Sequence, residues 1–193
     1  MTVLAAQLSS RARTVALGHS WRVRTNTAFA AVTAIPTTTA PLVLWNGESQ
    51  TSGIGKSYII DSVALSRIVV DATQTDSSAV WAMISAGPVA APTDDTNLTI
   101  RSLSGRATYD GLAKKAVNQT VVDATWFPIG NSPTLAPAAA GSAWNQADIN
   151  VDGLIVLPPG RTLNLVVIQV AGAAAQCHLD IRWHEAFVPV PGN

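Results

Sequence analysis

The feature that most constrains this chain is the run near its end, "AAQCHLDIRWHEAFVPV". Cys177, Leu179, Ile181, Trp183 and Phe187 fall on one side of a two-residue period, and His178, Asp180, Arg182 and His184 fall on the other. Successive side chains of a strand point to opposite faces, so this alternation predicts a strand with one buried face and one polar face. Glu185 breaks the pattern, because it sits on the apolar side. Either Glu185 pairs with an arginine or the strand leaves the core there, and Pro189 close behind favours the departure.

Other runs have the same character. "PLVLWN", "SYIIDSVALSRIVVDA", "SSAVWAMISAG", "GLIVLPPG" and "RTLNLVVIQVAG" are short, rich in Val and Ile, and bounded by Gly, Pro, Asn and Asp. "TNLTIRSL" is a weaker candidate. Strands of this size and punctuation predict an all-β fold, a single antiparallel β-sandwich. "YDGLAKKAV" reads as a helical turn and "SPTLAPAAAGSAW" as loop.

The 193 residues fit one domain with an appendage and can bury a core without covalent staples. Residues 1–40 read as an extended N-terminal arm and 41–193 as the sandwich domain. Before position 25 the chain is polar and irregular. Pro36 and Pro41 then flank a threonine run, and proline fixes φ and removes a donor. Arg11, Arg13, Arg22 and Arg24 are the only charged side chains before Glu48, so the first 47 residues carry +4 and the neutral total leaves −4 for the rest. That arm lacks the dense basic and aromatic mixture of a nucleic-acid surface.

Charged residues make up only 12% of the chain, about half the usual share. Sparse charge protects solubility poorly, which suits a surface covered by partners. Cys177 is the only cysteine, which excludes an intrachain disulfide and a four-cysteine zinc site and fits synthesis in a reducing cytoplasm. No run reaches the roughly 18 apolar residues of a membrane helix.

Several motifs suggest chemistry and fail on context. "QTSGIGKS" has the Gly-Lys-Ser of a phosphate loop, but Gln50 stands where its first glycine belongs. Ser57 is followed by "YIIDSVALSRIVV", with six Val or Ile in 13 residues, which favours a strand over the helix that holds phosphate. Asp71 follows too soon for a crossover. "GHSWR" approaches a nucleophile elbow around Ser20, yet Arg22 replaces the closing glycine. His178 and His184 on one strand stand about 20 Å apart, too far to share an ion, although His178 with Asp180 stays open. These readings imply no catalytic residues, no cofactor, no metal and no small-molecule substrate. Trp45, Trp81 and Trp183 lie in apolar strands and read as core, whereas Trp126 and Trp144 lie in the loop-rich middle and read as contact residues.

The window "LVLWNGESQTSGIGKSYIIDSVAL" resembles a pattern of structural proteins from tailed-bacteriophage virions: an apolar strand, an Asn, a loop ending in Ser-Gly-Lys, and a strand carrying Ile-Asp. "RVRTNTAFAAVTAIPTTTAPL" resembles the lead into that strand. "GLIVLPPGRTLNLVVIQVAGAAAQCHLDIRWHEAFVP" resembles a closing hairpin turning at Pro158-Pro159-Gly160. The resemblance implies a jelly-roll-like sandwich, usually trimeric, on the particle surface. It leads to the expectation of a capsid decoration or cement protein that contacts itself, as a homotrimer, and the major capsid protein. The expected contact residues are Arg11, Arg13, Trp21, Arg22, Arg24, Phe29, Trp126 and Trp144. The alternatives are a receptor- or carbohydrate-binding tail module, which predicts exposed Trp126 or Trp144, and an enzyme, which predicts converging ionisable groups in a pocket.

Overall fold

The computed structural model describes residues 15, 17–51, 54–69, 78–105, 108–120, 123, 125–131, 145–169 and 176–188. Its named elements are thirteen strands: β1 Ser20–Arg24, β2 Phe29–Ala30, β3 Thr39–Ala40, β4 Leu42–Trp45, β5 Ser57–Val69, β6 Ser78–Ile84, β7 Arg101–Ser102, β8 Lys114–Ala116, β9 Gln119–Thr120, β10 Phe127–Asn131, β11 Asn145–Leu157, β12 Thr162–Gln169 and β13 Gln176–Ala186.

One sheet runs β11-β5-β13-β1-β7, with β2 also on β13, and the second runs β10-β6-β12-β4-β8; β3 and β9 form a separate pair. All the strand pairings are antiparallel. The order has a nested logic. Among the eight strands β1, β4, β5, β6, β10, β11, β12 and β13, the first pairs with the last, the second with the seventh, the third with the sixth and the fourth with the fifth. Rolled up, with β13 also on β5 and β12 also on β6, this hairpin of hairpins is a jelly roll. The expected all-β sandwich is therefore the observed fold.

Both sheets supply one core. Tyr58, Ile60, Val63 and Leu65 of β5 meet Leu163, Leu165 and Val167 of β12, with Leu179, Ile181 and Trp183 of β13 fully buried beside them. Trp183 alone removes a large apolar area from water, at about 25 cal/mol per Å². The predicted alternation of β13 holds from Cys177 to Trp183, where the odd-numbered residues are fully buried.

Several expectations are corrected. Residues 20–40 run within the sheets rather than ahead of them. β1 lies between β13 and β7, β2 pairs with β13, Val32 bridges to Ile168, and β3 pairs with β9. The reason is a short period-two pattern in "SWRVR": Trp21 and Val23 point into the core and Arg22 and Arg24 point out. "YDGLAKKAV" contains strand β8 in place of the helical turn. "SPTLAPAAAGSAW" lies outside the described residues. The Pro158-Pro159-Gly160 turn does not close a hairpin: it carries the chain from β11 in one sheet to β12 in the other. Gly160 takes φ +77°, a left-handed conformation natural to glycine, and its N–H donates to the Asn46 carbonyl at 2.7 Å. Phe187, expected on the buried face, is 64% exposed.

Candidate contact surface and polar clusters

Strand register gathers one end of the sandwich. The start of β1, the end of β4, the starts of β5, β8 and β12 and the end of β13 all meet there. Asn46 ties this end together. It is fully buried, and its Nδ2 donates to the carbonyls of Lys56 and Leu157, each at 2.9 Å, while its Oδ1 accepts from the Glu48 N–H. The apolar β4 brings the side chain to the seam, and the amide joins the two sheets where both would otherwise leave carbonyls unpaired.

A polar cluster lies beside it. The Lys56 Nζ stands 3.3 Å from Glu185 Oε2, the Tyr109 hydroxyl donates to Glu185 Oε1 at 3.0 Å, and Tyr109 and Tyr58 hydroxyls are 3.3 Å apart. Glu185 therefore does not mark the strand's departure from the core. Its side chain is 8% exposed and stays where the apolar period places it, because a lysine and a tyrosine neutralise and bond it. A register shift between Arg182 and Trp183 accompanies this end of β13. Burial first, then Tyr109 and the Glu185 charge, push the Tyr58 hydroxyl far above the ordinary tyrosine range. Burial and Glu185 likewise raise Tyr109, against the hydrogen bond from Tyr58. Both phenols therefore stay protonated across the physiological range. Trp21 packs edge-on to Tyr109 with ring centroids 4.9 Å apart, and Trp183 lies 6.3 Å from the same ring.

The phosphate-loop likeness ends in this cluster. Ser57 is a buried first residue of strand β5, so no helix N-terminus follows Lys56, whose amine faces a carboxylate. Ser20 is likewise fully buried at the start of β1, out of place for a nucleophile.

The outer face of the β5-β13-β1 sheet carries alternating charge. Arg182 Nη1 donates to Asp148 at 2.7 Å, and Arg22 lies 3.8 Å from Asp180. Burial raises the Asp180 carboxyl above its ordinary range, although Arg182, Arg22 and Arg24 pull the other way. His184 bonds Asp61 at 2.9 Å, and His178 Nδ1 lies 2.9 Å from the Thr25 carbonyl. A carbonyl only accepts, so Nδ1 of His178 carries the proton. Each histidine thus has its own partner. Among the described residues no three His, Cys, Asp or Glu side chains gather as a metal site.

The expected contact residues separate. Trp21, 5% exposed, is core and has no face left for a neighbour while the domain is folded. Phe29 packs against the core from β2. Trp126 is half-buried over Ala40, Val43 and Ala116, with its Nε1 donating to the Pro36 carbonyl at 3.1 Å. Arg22 and Arg24 are exposed on one sheet face. Arg11, Arg13 and Trp144 lie outside the described residues. Of the tryptophans read as core, Trp183 is buried, whereas Trp45 and Trp81 are only partly covered.

The exposed apolar side chains were not foreseen. Leu17 (64%), Ile54 (61%), Leu112 (57%) and Phe187 (64%) belong to segments at the Asn46 end, whereas Leu154 (89%) stands out from the register shift within β11. Leu17 precedes β1, Ile54 precedes β5, Leu112 precedes β8 and Phe187 follows β13. The signal was available in sequence only as apolar residues just outside strand boundaries.

Comparison with protein-family models, with curated proteins and with solved structures returned no match.

Proposed function

We propose that the protein is a non-enzymatic structural subunit of a tailed-phage particle, a decoration or cement protein that acts as a homotrimer on the major capsid protein. The observation that carries this reading is the end surface. Four large apolar side chains, each more than half exposed, lie on segments that register brings to one end of the jelly roll. Apolar area left in water at one place is a contact waiting for a partner, and its burial is the adhesive term. The low charge of the chain and the use of jelly rolls in viral capsids support the same reading. Closed cyclic symmetry lets each copy present the end surface to the next.

The test is light scattering on the purified chain and on a Phe187→Asp, Ile54→Asp double variant, followed by binding of each to particles that lack the protein. The expected result is a parent trimer that coats particles and a folded variant that is monomeric and binds at least tenfold more weakly. A parent that is monomeric at high concentration and leaves particles bare overturns the proposal.

A further inference from the structure

We infer that a cavity at the free edge of β7 binds an acidic saccharide, with Arg22 and Arg101 gripping its carboxylate or sulfate. The inference does not rest on the apolar end contacts, and its test is independent of theirs.

The first observation is electrostatic. Arg22 and Arg101 are direct register partners across β1 and β7, and both are exposed. Like charges set opposite each other on neighbouring strands oppose pairing. Among the described residues the only carboxylate within 4 Å of either guanidinium is Asp180, 3.8 Å from Arg22; Arg101 has none. Two such cations held abreast across β1 and the two-residue β7 make a place where an anion would relieve the repulsion. Two adjacent guanidinium forks match the paired oxygens of a carboxylate or sulfate.

The second observation is space and its lining. A cavity of about 680 Å³ opens against both arginines; the Thr99 and Thr108 hydroxyls border it, with Ile100, Leu103, the mutually bonded Ser102 and Ser104 and the ring of Tyr109 completing the wall. That volume lies in the range of small-molecule sites. Hydroxyl groups both donate and accept, which suits a ligand that is itself rich in hydroxyls. A bare inorganic anion leaves most of this space empty. Tyr109 is a fixed wall, since its hydroxyl bonds Glu185 at 3.0 Å and its ring packs on Trp21. β7 ends its sheet, so its outer edge has no further strand among the described residues, although the Ser102 carbonyl is already taken by the Gly105 N–H.

The experiment is calorimetric titration of the whole chain with four probes: a glucuronic-acid disaccharide, a sulfated disaccharide, a neutral disaccharide and inorganic phosphate. Saturable binding of a charged disaccharide, at least tenfold tighter than the neutral one and than phosphate, is expected; which charged sugar binds better tells carboxylate from sulfate. Arg101→Gln and Arg22→Gln should each weaken it at least tenfold. Arg101→Lys should restore it only in part, because an ammonium cannot fork. Arg101→Gln should also melt at the same temperature as the parent or slightly higher without ligand, since it relieves the like-charge pair. Failure of both charged sugars, phosphate binding as tightly as the sugars, unaltered affinity in the glutamine variants, or a clear drop in melting temperature for Arg101→Gln would each overturn the inference.

Discussion

Asn46 holds Leu157: the side-chain amide that follows β4 donates at 2.9 Å to the last carbonyl of β11, across the seam between the two sheets. The same nitrogen holds Lys56, so one buried amide serves three chain segments.

Replacing Asn46 with alanine strands the carbonyls of Lys56 and Leu157 in the interior. An unsatisfied buried acceptor costs about 1–3 kcal/mol, so Asn46→Ala should lose roughly 2 to 4 kcal/mol. Asn46→Asp should lose more, because it points carboxylate oxygens at carbonyl oxygens. Urea unfolding monitored by tryptophan fluorescence measures both. A midpoint unchanged in Asn46→Ala would show that the seam is held by packing alone.

Lys56 and Glu185 form the second testable pair. Lys56 is 40% exposed and Glu185 only 8%, so the carboxylate depends on the amine more than the reverse. Lys56→Ala should destabilise by about 1 kcal/mol, more than an ordinary surface substitution, and Glu185→Gln should remove much of that sensitivity in a double-mutant cycle. Nucleotide titration of the same proteins should show no binding that depends on Lys56. Additive effects in the cycle would mean that the 3.3 Å contact contributes nothing.

His178 sets a pH dependence. Burial first, then the charge of Arg24, lowers its pKa, against the hydrogen bond to Thr25. A histidine whose folded pKa is depressed lends its stability fully above the unfolded value near 6.5, and that stability is lost as pH falls through the folded value. Melting temperature should therefore drop between pH 7.5 and 5.5 by more in the parent than in His178→Gln. Asp180, raised by burial, titrates with the opposite sign from a lower starting point, so the difference between the two proteins isolates His178. Superimposable profiles would remove His178 from the explanation.

How much of this was legible in the sequence depended on the range of the interaction. β5, β12 and the buried half of β13 announce themselves through period and β-branching, which are local. β1 did not, because five residues with two apolar positions are too few to show a period. Its inner place is decided by β13, more than 150 residues away. The first half of β11 carries a usable signal in Ala147, Ile149 and Val151, hidden among polar neighbours. β10 contains Pro128, which argues against a central strand; β10 is an edge strand, where proline is tolerated. Glu185 was misread since the residues that neutralise it, Lys56 and Tyr109, come from distant segments. The apolar end surface and the facing arginines were illegible for the same reason: each exists only once register is fixed.

The nested pairing has a consequence for how the chain is made. Among the named strands β1 is made first, yet its main partner is β13, the last of them. The sheet containing β1 cannot close until residue 186 is out, so early strands wait with bare edges while more than 150 further residues are added. Contacts this distant along the chain fold slowly and leave growing polypeptides open to mispairing with one another. Yield in the cell should therefore respond to expression temperature and chaperone supply more sharply than the stability of the finished jelly roll suggests.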